Sequence, residues 1–193
     1  MKKLSQLQMD DSDVLRFDDD GRVTYLITGA VTIAEGDSFV MDDGVLVQFD
    51  DNATLVIEGT ADFRLTKGST FDSAFDNNDD VRPVGVQVAN KKGVTEFANC
   101  TFCYVGLRNG SPTGMALTRC AFYNHNGVIG QGALTLGTDG APFTLIDCRF
   151  EECSRAAIAG AANYRNPLFV QGCTFRYNGA ANGNTPQLNL TVA

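Results

Sequence analysis

A three-residue phrase, Cys-x-Phe, recurs in the second half of the chain, and this repeat constrains the fold more than any other feature of the sequence. Its four copies are Cys100-Thr101-Phe102, Cys120-Ala121-Phe122, Cys148-Arg149-Phe150 and Cys173-Thr174-Phe175. Successive cysteines are 20, 28 and 25 residues apart (100 to 120, 120 to 148 and 148 to 173). A partial fifth copy, Gly68-Ser69-Thr70-Phe71, has Ser69 in place of the cysteine. Repeats of this length are typical of a solenoid, in which each unit buries its apolar face by stacking on its neighbours.

The residues before each cysteine indicate that the chain bends there. An apolar residue stands three positions earlier every time, namely Phe97, Leu117, Leu145 and Val170. Because three is an odd number, this residue and the cysteine would lie on opposite faces of a straight strand. Both face one interior only if a tight corner comes between them. The corner residues are Asn99, Arg119, Asp147 and Gly172. Three of these types tolerate a left-handed backbone, and Arg119 predicts a less regular turn.

Strand, corner, strand and variable loop together describe one coil of a parallel β-helix. The runs 132–136 and 156–159 fit a third strand of a coil. The first half contains plainer β-prone runs at 31–33, 38–41, 45–49 and 54–57, separated by Asp- and Gly-rich turns. Helical periodicity is weak, and the 20 glycines argue against long helices. The predicted fold is therefore all-β: a single-stranded parallel β-helix (solenoid) of short coils with variable loops.

From about Val23 onward, units such as Asn99-Cys100-Thr101-Phe102 give the chain a family resemblance. It resembles right-handed parallel β-helix proteins of the pectate-lyase-like superfamily, particularly the degenerate repeats of secreted and surface bacterial proteins. The resemblance implies a right-handed solenoid and an extracellular or cell-surface location. It says little about activity, since the same coils carry lyases, hydrolases, adhesins and phage tailspikes.

The two ends of the chain differ from the middle. Residues 1–20 are polar and acidic and are expected to form an N-terminal arm or cap, with the β-helix domain spanning 21–193. The start, Met1-Lys2-Lys3-Leu4, lacks the hydrophobic region of a signal peptide. Either the protein stays inside the cell, or an export signal has been removed from this sequence, and the repeat type favours the second interpretation. At the other end, Leu188, Leu190 and Val192 fit a strand that nothing evident caps. We expect this open coil to continue in a longer parent protein, or to contact a neighbouring domain or another molecule end to end.

Composition excludes some partners. No apolar stretch is long enough to cross a membrane. The net charge of −8 argues against nucleic acid and against anionic membrane surfaces, which favour basic patches.

The six cysteines allow three interpretations. In adjacent coils, equivalent residues sit about 4.8 Å apart, so the four repeat cysteines are predicted to form a reduced internal ladder, with Cys103 and Cys153 outside it. Disulfides are the alternative for an exported protein. A zinc site at Cys100-Thr101-Phe102-Cys103 is disfavoured because no second C-x-x-C and no nearby histidine completes it.

Catalytic residues are hard to identify. The one histidine, His125, follows a repeat strand without a marked nucleophile or acid, so it is interpreted as a polar loop residue. Acidic clusters at 18–20, 42–43, 50–51 and 76–80 fall in turn-like contexts and are interpreted as solvated turns. The oxygen ligands at 76–80 suit Ca²⁺, but their spacing is not that of a known loop. No cofactor and no metal site is therefore predicted.

Surface recognition is the preferred function. Tyr104, Tyr123 and Tyr177 follow their repeat phenylalanines by two, one and two residues, which suggests one side of neighbouring coils. Together with Arg108 and Arg155, they are the candidate ligand-binding residues for a polysaccharide or host glycan, through stacking and hydrogen bonds. The predicted function is a non-catalytic scaffold or adhesion module of a secreted or cell-surface bacterial protein. The alternatives are a polysaccharide lyase or glycoside hydrolase of the pectate-lyase-like type and, less favoured, a tailspike-like trimer.

Overall fold

The protein is an all-β solenoid of stacked parallel coils, as seen in a computed structural model. The structure describes residues 1–19, 21–74, 84–126, 131–137, 142–160, 167–179 and 187–190. It begins with helix α1 (Leu4–Asp10) and strand β1 (Val14–Asp19), and the later strands form three faces that run along the solenoid. The predicted parallel β-solenoid is therefore confirmed.

Each face is a ladder of parallel strands, one from each coil. Face I consists of β4 (Ser38–Val40), the first part of β7 (Thr60–Ser73), the first part of β9 (Thr95–Cys103), β11 (Met115–Thr118), β14 (Phe143–Ile146) and β17 (Leu168–Gln171). Face II consists of β2 (Arg22–Ile27), β5 (Leu46–Phe49), the second parts of β7 and β9, β12 (Ala121–Tyr123), β15 (Arg149–Glu151) and β18 (Thr174–Arg176). Face III consists of β3 (Ala30–Ile33), β6 (Thr54–Ile57), β8 (Val84–Val88), β10 (Gly106–Asn109), β13 (Gly132–Leu136), β16 (Ala156–Gly160) and β19 (Leu188–Leu190).

The corner between faces I and II is the one that the repeat predicts. Its residues all have a left-handed backbone: Asn99 (φ 58°), Arg119 (φ 52°), Asp147 (φ 53°) and Gly172 (φ 65°). The expectation of a less regular turn at Arg119 is wrong, because Arg119 adopts the same conformation as the others. Its Nε donates a hydrogen bond to Oδ1 of Asn99, 3.0 Å away in the preceding coil.

A second left-handed corner, between faces II and III, lies two residues after each repeat phenylalanine. It is formed by Tyr104, Asn124, Glu152 and Tyr177, with φ between 54° and 59°. Sequence reasoning missed this corner because tyrosine and glutamate do not signal a left-handed backbone.

The repeat side chains fill the interior. Phe71, Phe102, Phe122, Phe150 and Phe175 stack in sequence with ring centroids 4.9, 4.7, 4.7 and 5.1 Å apart. Ser69 pairs with Cys100, which confirms the fifth copy of the repeat. All six cysteines are free, and those of the repeat align coil on coil as the ladder interpretation predicts.

The N-terminal segment packs onto the first coil. Strand β1 pairs antiparallel with β2, and Leu4, Leu7 and Val14 are buried in the core. Sequence analysis did not predict α1, which is only seven residues long. No helix in the described part of the chain is long and apolar enough to span a membrane.

Candidate binding groove at the first corner

A surface depression lies at the corner between faces I and II. Strand β7 turns this corner with a longer segment than its neighbours do. Arg64 pairs with Ala98 and Ser69 with Cys100, so residues 65–68 stand opposite Asn99 alone. Leu65 of this projecting segment is buried in the core, whereas Thr66 and Lys67 are exposed. Thr66, Lys67 and Gly68 form one wall of a groove of about 480 Å³. The groove is lined by Arg22, Gly44, Val45, Thr66, Lys67, Gly68, Ser69, Thr70, Asn99, Thr101 and Arg119.

Hydrogen bonds hold the projecting segment in place. The Asp43 carboxylate accepts bonds from the backbone N–H groups of Thr66 (3.2 Å) and Lys67 (2.8 Å), and also from the Thr66 hydroxyl. On the opposite side, the Asn99 amide donates to the carbonyl of Leu65. The bond from the Thr66 hydroxyl is the main cause that lowers the pKa of Asp43, with the backbone bonds adding to it. Asp43 is therefore ionised at neutral pH and acts as an anchor for the segment.

Positive charge collects in this groove although the chain as a whole is acidic. Arg22, Lys67 and Arg119 are exposed and line the same depression. Among the described side chains, no carboxylate forms an ion pair with Arg22 or Lys67. Arg119 is oriented through Nε by Asn99, and the described residues give its two terminal nitrogens no acceptor. The groove thus offers three cationic groups to an anionic ligand.

Face II extends the groove across the solenoid. Thr70, Thr101 and Ala121 occupy one outward-facing row, and Cys103 and Tyr123 belong to the next row along the strands. Two residues along a strand span about 7 Å. Tyr123, which sequence analysis named as a ligand-binding candidate, therefore shares a face with the groove.

The other predicted ligand-binding residues lie around the second corner. Tyr104 and Tyr177 occupy that corner itself, and their coils are three steps apart, or about 14 Å. Tyr177 is 71% exposed, and the Arg176 guanidinium carbon lies 5.3 Å from its ring centroid. Arg108 is exposed on face III, whereas Arg155 is partly buried just before β16. The five predicted residues therefore form a strip over four successive coils rather than one pocket.

Sequence analysis did not single out Arg22, Lys67 or Arg119 as ligand-binding residues. A signal for the groove was nevertheless present in the spacing. The apolar residue lies three positions before the cysteine in the four full copies, but Phe63 lies six positions before Ser69. The three extra residues form most of the projecting segment.

His125 is not a catalytic candidate. Its side chain is buried in the interior, at 1% exposure, in the position that Cys153 occupies one coil later. Among the described residues, neither imidazole nitrogen has a hydrogen-bond partner, and burial lowers the pKa of the imidazole to about 4. Burial also raises the pKa of Cys153 to about 11. Both groups are neutral at pH 7 and closed to solvent, so they do not form a nucleophile and base.

Acidic side chains in two of these clusters bond to nearby residues of the chain. Asp18 pairs with Arg16 at 2.8 Å, and Asp50 accepts a bond from the backbone N–H of Asp51 at 2.7 Å. The cluster at 76–80, which suited Ca²⁺ by its ligand type, lies outside the described residues. Within the described ranges, no group of three or more His, Cys, Asp or Glu side chains is arranged to hold a metal ion.

Comparison with protein-family models, with curated proteins and with solved structures found no match to this chain. The parallel coils belong to a β-solenoid, and membership of the pectate-lyase-like superfamily stays a prediction from the repeat. A proposal about what this groove binds must therefore rest on the groove's own chemistry.

Proposed function

We propose that this chain is a non-catalytic β-solenoid scaffold or adhesion module of a secreted or cell-surface bacterial protein. We further propose that the groove at the corner between faces I and II binds an acidic polysaccharide. The observation that carries the proposal is the convergence of Arg22, Lys67 and Arg119 on one ordered groove of a chain with net charge −8. A local cluster of cations attracts an acidic glycan even though the chain as a whole is acidic.

The placement of the cations favours an extended ligand. Arg22 is the first residue of β2 on face II, and Arg119 precedes β12, four coils later. At about 4.8 Å per coil, the two arginines are about 19 Å apart along the solenoid. A single sugar does not reach both, whereas a polymer that runs along the axis does.

The chemistry of the lining suits uronate or sulfate groups. A guanidinium binds a carboxylate or sulfate through two parallel hydrogen bonds, and Lys67 adds a point charge. Thr70 and Thr101 offer hydroxyls, and Tyr123 on the same face offers a ring on which a sugar can stack.

A binding assay with matched variants tests this proposal. Calorimetric titration with polygalacturonate, with heparin and with neutral dextran should show binding of the two acidic polymers only, weakening as salt is added. Lys67→Gln should weaken binding about 5-fold, as expected for one partly solvated charge contact. Lys92→Gln, which removes an exposed lysine outside the groove, is the control and should have little effect. Binding that is equal for dextran, or that Lys67→Gln leaves unchanged, would contradict the proposal.

The strip around the second corner is tested in the same assay. Arg108→Gln and Tyr177→Ala probe the residues that sequence analysis named, and neither lines the groove. If these changes weaken binding while Lys67→Gln does not, the glycan binds at the strip instead.

A polysaccharide lyase or glycoside hydrolase remains the alternative. A general acid needs a carboxyl group with a raised pKa, whereas Asp43, bonded to the groove wall, has a lowered one. Incubation with polygalacturonate in the presence and absence of Ca²⁺, followed by absorbance of unsaturated products and by reducing-end analysis, tests for turnover. Turnover of either kind would contradict the scaffold proposal.

A further inference from the structure

One position at the corner between faces I and II recurs in seven successive coils. It lies two residues before the outward-facing row of face II that contains Thr70 and Thr101. From the first coil to the seventh it is occupied by Arg22, Gly44, Gly68, Asn99, Arg119, Asp147 and Gly172. The two coils that follow Arg22 therefore carry no side chain at this position, and both of their glycines line the groove.

The space over Gly44 is open. Gly44 has a left-handed backbone (φ 75°), and among the described residues a Cβ atom there would meet nothing closer than the Lys67 side chain, at 4.0 Å. Gly172, at the same position of the seventh coil, differs because the Asp147 carboxylate lies over it. The lack of a side chain thus leaves free space at Gly44 but not at Gly172.

Gly68 packs more closely against its neighbours. Its carbonyl accepts a hydrogen bond from the Gly44 N–H at 2.9 Å, and a Cβ atom on it would stand only 2.8 Å from the Asn99 carbonyl oxygen. A side chain at Gly68 would therefore displace the main chain of the next coil, whereas a side chain at Gly44 would stand in the groove itself.

The free space at Gly44 lies among the cations of the groove. Gly44 is on the coil next to that of Arg22, and the aliphatic part of Lys67 runs beside it. Charge-assisted hydrogen bonds form at about 2.7–2.9 Å. A side chain that held an anion away from this floor would therefore weaken its bonds to the cations on either side.

We propose that Gly44 determines how a polyanion lies in this groove: because its coil is bare, an extended acidic chain rests on the main chain there and reaches both Arg22 and Arg119. Gly68 continues the bare floor into the third coil. This inference rests on the proposed binding of an acidic polysaccharide, and it adds that the shape of the floor, as well as its charge, selects the ligand.

A substitution that adds volume without charge tests the proposal. Gly44→Asn should fold, because Asn99 adopts a left-handed backbone (φ 58°) at the same position two coils later. In calorimetric titration with heparin it should bind about 10-fold more weakly than the native chain. Gly93→Asn is the control, because Gly93 also has a left-handed backbone (φ 74°), has no neighbour within 4 Å of an added Cβ and does not line the groove. It should change the affinity less than about 2-fold.

The salt dependence of binding separates a blocked floor from a lost charge. Lys67→Gln removes a cation and should lower the slope of log affinity against log salt by about one, whereas Gly44→Asn should leave the slope unchanged. A lower slope in Gly44→Asn would overturn the inference, because the variant would then have displaced a cation. Native affinity in Gly44→Asn, with weaker binding by Lys67→Gln, would overturn the inference and leave the proposed function standing. A native chain that binds no acidic polymer would overturn both.

Heparin fragments of increasing length cover the case in which Gly44→Asn is destabilised. On the unmodified chain, the dissociation constant should fall with fragment length until a fragment reaches from Arg22 to Arg119, about 19 Å at 4.8 Å per coil. Arg22→Gln should weaken these long fragments more than fragments too short to reach both arginines. An affinity that does not depend on length, or an equal effect of Arg22→Gln at every length, would overturn the inference, because the ligand would then not lie across Gly44.

Discussion

Burial of His125 predicts a loss of stability in mild acid that one substitution should remove. The chain has one histidine, its side chain is 1% exposed, and no residue in the described part of the chain forms a hydrogen bond with either nitrogen. Burial lowers the pKa of this imidazole from 6.5 to about 4. The unfolded chain therefore takes up a proton near pH 6.5, and the folded chain does so only near pH 4.

The sign and size of the effect follow from this difference. Between these two pH values the unfolded state binds more protons, so the free energy of unfolding falls as the pH falls. Each pKa unit corresponds to about 1.4 kcal/mol. Lowering the pH from 7 to 5 should therefore remove about 2 kcal/mol of stability, and the loss should level off near 3 kcal/mol below pH 4.

The matched variant is His125→Val, because Val105 occupies the equivalent position one coil earlier. The carboxylates titrate in both proteins, so the difference between them isolates the imidazole. Urea unfolding followed by far-ultraviolet circular dichroism at pH 7 and pH 5 should show about 2 kcal/mol more loss in the native chain than in the variant. Proton NMR of the single imidazole gives its pKa directly. An imidazole that titrates near 6.5, or an equal loss of stability in both proteins, would refute the reasoning.

Three further predictions concern the stacked coils. Phe122→Ala, at a fully buried position in the middle of the ring stack, should lower the unfolding free energy by about 4 kcal/mol, as measured by urea unfolding. Phe175 is only partly buried in the described structure, so Phe175→Ala should cost about half as much; equal costs would contradict the difference in burial. A thiol reagent that releases a coloured product should react with the partly exposed Cys103 and Cys173 in the native protein, and with the other four cysteines only after unfolding. Cys103 should react slowly, because burial raises its pKa to about 11. Fast reaction of all six thiols in the native protein would contradict a buried cysteine ladder. At the left-handed corner between faces I and II, Arg119→Gly should have a higher melting temperature than Arg119→Ala, because glycine adopts that backbone without strain. The difference in unfolding free energy between the two variants should be about 1 kcal/mol. Equal melting temperatures would contradict this.

Most of the fold could be predicted because its rules are local. The separation of three between an apolar residue and the cysteine requires a corner, and Asn99 and Gly172 are residue types that form one. The second corner could not be predicted in this way. Tyr104 and Glu152 adopt a left-handed backbone only because the stacked coils before and after them fix the course of the chain.

The groove could be predicted only in part. The six-residue separation between Phe63 and Ser69 is a sign of an irregular corner that sequence analysis did not use, and it does not specify that Thr66 and Lys67 would be exposed there. Lys67 lies far from Arg22 and Arg119 in the chain, and their common position depends on the parallel register of several coils. For the same reason, the five residues that sequence analysis grouped as ligand-binding are spread over a strip.

The sequence by itself determined the repeating unit of this protein, because a strand pattern and a corner residue act within a few positions of one another. The cysteine and phenylalanine ladders follow directly from that unit. Only the tertiary structure decided which side chains from different coils meet. It buried His125 among apolar neighbours, and it gathered three cations in an acidic chain. Each of these outcomes depends on stacking between coils, which the spacing within one coil does not specify.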